Sequence, residues 1–252
     1  MSGWAVVTGA SSGLGAAYAR ELARQGANLI LVARSTGKLS GLADELRTRH
    51  RVDVEVWPCD LTNRGGRAVL VADLASRKIH TLINSAGFGT LGDFVDLEAE
   101  RILSEVELNV VALTELTRTV LPGMKARGRG AIVNLASTAS FQPIPGFATY
   151  AATKAYVLRL SVALWAELRE TDVRVLAVCP GPTDTGFFSA AGNDDVMAER
   201  RTVDQVVATT FKALRRRKPY VVDGVRNTVL AEATRLAPTR FASALSNWVA
   251  TH

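Results

Sequence analysis

Seven short apolar runs recur along the chain, at residues 4–8, 28–33, 52–57, 81–84, 131–135, 173–178 and 220–222. Most are bounded by Gly, Pro, Asp or Asn, the pattern of strands buried on both faces. Between them apolar residues return at helical spacing, predicting helices over 14–25, 37–49, 65–77, 98–127, 149–170 and 203–215. Strand and helix therefore alternate from end to end. This argues for an α/β fold, one doubly wound parallel sheet of seven strands with helices on both faces. No linker, repeat or low-complexity block divides residues 1–224, which read as one domain.

Residues 225–252 break the alternation. Val229, Ala233 and Leu236 recur at helical spacing, Pro238 interrupts, and Phe241, Leu245, Trp248 and Val249 make a second apolar stripe. We expect an amphipathic helical tail packed on its own domain or on a partner subunit. A substrate lid or a membrane-surface helix, helped by Arg235 and Arg240, is the alternative.

Composition narrows the class. Of 252 residues 48% are hydrophobic and 21% charged, enough apolar material to offset the ordering entropy, so a disordered chain is excluded. No apolar run approaches the roughly 18 residues that span a bilayer. Met1-Ser2-Gly3-Trp4 lacks the basic-then-apolar pattern of a signal peptide. Cys59 and Cys179 are too few for a disulfide framework. The expectation is a cytoplasmic protein with no transmembrane segment and no metal. Thirty Lys plus Arg against 24 Asp plus Glu give a net charge of +6. The densest cluster, residues 215–218, closes a helix and has no interleaved aromatics, so it reads as a solvated helix end and no nucleic-acid partner is expected.

The first strand runs into Thr8-Gly9-Ala10-Ser11-Ser12-Gly13-Leu14-Gly15, which opens the first helix. Glycines there let the backbone turn tightly and approach a pyrophosphate held at the positive helix end. The second strand ends at Ala33-Arg34-Ser35, without the carboxylate that binds a ribose 2′-hydroxyl. Arg34 can pair with a 2′-phosphate through its planar fork, and Ser35 can add a hydroxyl, so NADP(H) is favoured over NAD(H). Tyr150 and Lys154, four apart on a helix, share one face. An ammonium beside a phenol, together with the positive charge of an oxidised nicotinamide, favours the phenolate, so Tyr150 is expected to have a lowered pKa in that setting and to serve as an acid–base group.

In these features the chain resembles the short-chain dehydrogenase/reductase family, over about residues 5–222. The glycine loop matches its T-G-x-x-x-G-x-G, and Asn84-Ser85-Ala86-Gly87 its N-N-A-G segment with Ser85 in place of the second Asn. Asn109 falls at the family's active-site asparagine. Ser137 lies thirteen residues before Tyr150, and Pro180-Gly181-Pro182-Thr183-Asp184-Thr185 matches P-G-x-x-x-T. The resemblance implies a Rossmann-type fold and hydride transfer between a nicotinamide cofactor and a carbonyl or alcohol. Tyr150 would be the general acid, Ser137 would hydrogen-bond the reacting oxygen, Lys154 would lower the Tyr150 pKa and bind ribose, and Asn109 would hold a relay water. Gly9, Ser11, Ser12, Gly13, Leu14 and Gly15 would cradle the cofactor, with Asp60 and Leu61 at its adenine. Asn84, Ala86, Gly87, Pro180, Gly181 and Thr183 would line it, and Thr185 would reach its nicotinamide end. The family commonly pairs through the long helices over 98–127 and 149–170, implying a homodimer or homotetramer.

The 138–147 segment, with Phe88, Phe187, Phe188 and Met197, offers apolar walls suited to a hydrophobic carbonyl or alcohol substrate. Residues 186–200 are a candidate lid. A 3-oxoacyl-thioester reductase is the special case that a basic patch at the pocket mouth would support. A non-catalytic NADP(H)-binding sensor or scaffold is the rival class, which loss of Tyr150, Lys154 or Ser137 would have signalled. None of the three is lost.

Overall fold

The computed structural model describes residues 3–187, 191 and 200–236. Seven strands, β1 (Trp4–Thr8), β2 (Asn28–Ala33), β3 (Val54–Pro58), β4 (Ile79–Asn84), β5 (Arg129–Leu135), β6 (Asp172–Cys179) and β7 (Tyr220–Val222), form one all-parallel sheet in the order β3-β2-β1-β4-β5-β6-β7. The expected doubly wound Rossmann-type sheet is what the chain adopts. The helices are α1 (Gly13–Arg24), α2 (Thr36–His50), α3 (Arg64–Ser76), α4 (Ala99–Val106), α5 (Leu113–Ala126), α6 (Ala148–Glu167), α7 (Val203–Arg215) and α8 (Val225–Leu236).

The strands read as unbroken apolar runs because both faces are covered. Val7, Leu31 and Val178 pack with Tyr18, Leu39 and Val206 from α1, α2 and α7. Val6, Ile30 and Val175 point the other way, onto Leu70, Leu116 and Met124 from α3 and α5. Period-2 alternation thus feeds two cores, and neither can be solvated. Strand order reverses between β1 and its partners β2 and β4, the switch point outside whose carboxyl ends such sheets bind ligands.

Three expectations need correction. The helix expected over 98–127 is interrupted by a π-helical segment, Glu107–Ala112, between α4 and α5. An apolar period averaged over thirty residues does not register a local change of winding. The third strand begins at Val54 rather than at 52, since Val52 is already buried against the core before the strand starts. In the tail, α8 packs on β7 and on the 3₁₀ turn Thr138–Phe141, but through Ala231 and Thr234. Val229 of the expected stripe is 65% exposed and Ala233 also faces outward. A helix that approaches a sheet edge closely docks through its small residues, which a search for large apolar ones passes over. The second stripe, at 241–249, lies outside the described residues, as do Phe188, Met197 and most of the proposed lid.

Candidate active site

A cleft of about 1420 Å³ opens over the carboxyl ends of the strands at the switch point. It exceeds the roughly 300–1,000 Å³ of an ordinary small-molecule pocket and has room for a dinucleotide beside a second ligand. Its floor begins at the β1–α1 loop, where a Cβ on Gly15 would stand 2.1 Å from the Gly9 carbonyl oxygen. Only glycine lets the first turn of α1 sit so close to the loop that precedes it. Ser12 caps α1 without a side-chain hydrogen bond, so the first-turn amides have no side-chain acceptor. The Thr8 hydroxyl accepts from the Ser85 and Ala86 amides, both at 3.0 Å, and ties this loop to the one after β4.

At one end of the cleft stand Arg34, Ser35 and Asp60, joined by Lys38 from the first turn of α2. Lys38 was not expected here; its position one turn after Arg34 was the signal that could have found it. Asp60 accepts from the Thr62 amide at 3.0 Å and hydroxyl at 2.7 Å. Burial pushes its carboxyl up, but these hydrogen bonds and the Arg34 charge outweigh burial and hold it below its usual range. The capping of α3 falls to Asn63, whose side chain accepts from the Gly66 amide.

At the other end, Ser137, Tyr150 and Lys154 meet, carried by the end of β5 and the first turns of α6. Tyr150 is stacked on Phe147 at 4.5 Å and tilted against Phe187 at 5.2 Å. The Lys154 Nζ donates to the Leu135 carbonyl at 2.7 Å and lies 5.6 Å from the Tyr150 ring centre. A Cβ on Gly87 would sit 2.9 Å from Asn109 Oδ1 and 3.4 Å from that Nζ, so glycine permits the convergence of three elements.

In the free protein burial governs the electrostatics. Burial pushes the Tyr150 phenol above its ordinary value, and the hydrogen bond from Ser137 only partly offsets this. Burial pushes Lys154 down to about 8, with Glu105 opposing. Desolvation of the phenol outweighs the Ser137 hydrogen bond, so Tyr150 is held protonated rather than poised to ionise.

The cleft is lined by Gly9, Ser11, Ser12, Gly13, Leu14, Gly15, Leu61, Ala86, Gly87, Pro180, Gly181, Thr183 and Thr185, as expected. Asn84 and Asn109 are not on its wall. Asn84 is buried and donates to Asn134 Oδ1 at 2.9 Å and Thr117 Oγ1 at 3.1 Å, so it ties β4 to β5 and α5. Asn109 is also buried. Its amide donates to the Phe88 carbonyl at 2.8 Å and Thr153 Oγ1 at 3.1 Å, and its Oδ1 accepts from the Phe88 amide. Strand pairing brings Asn84 opposite Asn134, a partner the local sequence did not point to.

A glycine loop at a helix start, a basic end and a buried Tyr–Lys–Ser group in one cleft define a dinucleotide-dependent enzyme site. The family model described as short chain dehydrogenase matches residues 3–196. The chain belongs to the short-chain dehydrogenase/reductase family. A short-chain dehydrogenase from Sphingobium yanoikuyae in complex with NADPH is 38% identical, with a TM-score of 0.86 over 92% of this chain and 93% of that one. The bulky-bulky ketone specific alcohol dehydrogenase from Comamonas testosteroni is 34% identical, with a TM-score of 0.81 over 92% of this chain and 91% of that one. Over 182 residues, 70% of this chain, the sequence is 35% identical to the very-long-chain 3-oxoacyl-CoA reductase of Bos taurus. That match spans 58% of the relative's length. Among the described residues no helix is long and apolar enough to cross a membrane.

Proposed function

We propose that this protein is an NADP(H)-dependent carbonyl reductase or alcohol dehydrogenase acting on a hydrophobic substrate. The observation that carries the reading is the convergence of Ser137, Tyr150 and Lys154 at the apolar end of a cleft whose other end is basic. The residues present fit the cofactor. The Gly15 cradle would be filled by any side chain, and Arg34 and Lys38 supply cations where a 2′-phosphate would lie. When bound, the nicotinamide supplies or accepts the hydride.

The remaining chemistry belongs to the chain. Tyr150, kept protonated by burial, donates its phenolic proton to the developing alkoxide as general acid. Ser137 hydrogen-bonds the same oxygen as charge accumulates there. Lys154, held by the Leu135 carbonyl, stabilises the phenolate left behind. Asn109 orders the Phe88 backbone at the cleft wall and the Thr153 hydroxyl beside Lys154. Phe88, Leu91, Ile144, Phe147 and Phe187 exclude water from the reacting oxygen.

A second reading, a 3-oxoacyl-thioester reductase, is favoured by Arg200 and Arg226, two cations lining the cleft that would attract an anionic carrier. Pairing of two copies is supported by exposed Leu103, Val111 and Tyr156 on the outer face of α4, the π segment and α6.

The test is a Tyr150→Phe variant, assayed for NADPH binding by fluorescence and for ketone reduction. Binding is expected to survive while turnover falls by roughly a hundredfold or more. Turnover at the wild-type rate would remove Tyr150 from the mechanism. The two substrate readings separate on whether an apolar aryl ketone or a 3-oxoacyl thioester has the higher kcat/KM.

A further inference from the structure

Glu105 lies in the last turn of α4, two residues before the π segment that carries Asn109. It is fully buried, and neither carboxylate oxygen has a hydrogen bond of ordinary geometry; Thr90 approaches them only loosely, through its hydroxyl and amide. Among the described residues it is the one carboxyl group with both oxygens so placed. A buried group of this kind calls for an explanation, and a functional site is where such groups concentrate.

The surroundings supply one. α4 packs on α6, the helix of Tyr150 and Lys154. Four groups act on Glu105. Burial pushes the carboxyl up, while the Thr90 hydroxyl and amide, the Lys154 ammonium and the Arg101 guanidinium pull it back towards the ionised form. The influence is mutual: Glu105 raises Lys154 against burial, with a smaller contribution from Cys179, and it raises Tyr150 as well. The Lys154 ammonium donates to the Leu135 carbonyl, a neutral acceptor, and Glu105 supplies the largest negative charge acting on it.

We propose that Glu105 is a positioning residue for the proton-transfer pair, an ionised carboxylate within electrostatic reach of Tyr150 and Lys154 that keeps the ammonium charged and the phenol protonated. It rests on the roles given above to Tyr150 and Lys154, and adds that a third, remote charge sets the pH range in which phenol plus ammonium is the stable combination. Glu105 does not touch substrate. It acts through Lys154, so its loss is read as a displaced pH profile and not as a uniform loss of rate.

Two measurements test this. The first is infrared difference spectroscopy of the cofactor-free protein at neutral pH, wild type against Glu105→Asp and against Glu105→Gln. An ionised carboxylate band assigned to Glu105 is expected; the carbonyl stretch of a protonated carboxyl would overturn the proposal. Because the Asp variant keeps the charge, this comparison remains decisive if the Gln variant does not fold. The second is the pH dependence of NADPH-dependent reduction of propiophenone. In Glu105→Gln the alkaline limb is expected to fall by about one pH unit, the size of a nearby-charge effect, while Glu105→Asp keeps it near the wild-type position. A Gln variant that is slower at every pH with an unmoved limb would make Glu105 structural only. If Tyr150→Phe abolishes turnover and the Gln profile is unmoved, this inference alone fails. If Tyr150→Phe turns over normally, the site assignment fails with it.

Discussion

Arg34 and Tyr150 illustrate how differently two site residues depend on their surroundings. Arg34 is exposed at the end of β2, in the cleft beside Ser35 and Lys38, and its role follows from charge and position. Arg34→Asp is expected to weaken NADPH binding by about tenfold to a hundredfold, the worth of a charge-assisted hydrogen bond, and to narrow the NADPH/NADH affinity ratio. An unchanged ratio in a fluorescence titration would show that Arg34 points elsewhere. Tyr150 was recognisable from its spacing to Lys154 and Ser137, but its ionisation was not. The two neighbours visible in sequence favour the phenolate, whereas the burial that pushes the phenol up comes from Phe147, Phe187 and the cleft wall. The Lys154 value of about 8 has a consequence for pH. Below it the ammonium is charged in the folded protein, and above it the charge that stabilises the phenolate is lost. Reduction is therefore expected to decline on the alkaline side near pH 8.

Among the elements, the π segment Glu107–Ala112 positions the most and was the least legible. It is held from outside by Arg67 of α3, whose guanidinium is 2% exposed. Arg67 donates to Glu107 and to Glu115, each at 2.6 Å, and to the Leu61 carbonyl. Glu107 and Glu115 are each about one-third exposed, so removing Arg67 costs less than breaking a fully buried pair. Arg67→Met is expected to lower stability by about 2 kcal/mol, read as a denaturation midpoint shift, with a Tm drop of roughly 5 °C. An unaltered midpoint would show that the segment is held by its own packing. None of these contacts is local: Arg67 is separated by 40 residues from Glu107 and 48 from Glu115. The strands and the helices α1, α2 and α7 were legible because each depends on its own apolar period.

At the scale of the whole molecule, Leu103 of α4, Val111 of the π segment and Tyr156 of α6 are respectively 68%, 39% and 40% exposed. Exposed apolar side chains of that size are the kind of surface a pairing of copies would use. If two copies meet there, Leu103→Asp should convert a dimer to monomers in light scattering coupled to size exclusion. A monomeric wild-type protein would dispose of the pairing altogether.

The sequence by itself determined the layering, the glycine loop, the basic end of the cleft and the identity of Ser137, Tyr150 and Lys154. Those depend on periodicity and on residue types at fixed separations, which the chain carries openly. The tertiary structure alone decided that Asn84 pairs with Asn134 beneath the cleft, that α8 docks through Ala231 and Thr234, and that Glu105 is buried within reach of Lys154. Each of these turns on which distant residues come into contact and how far water is excluded around them, and a buried charge has no energy until its neighbours are in place.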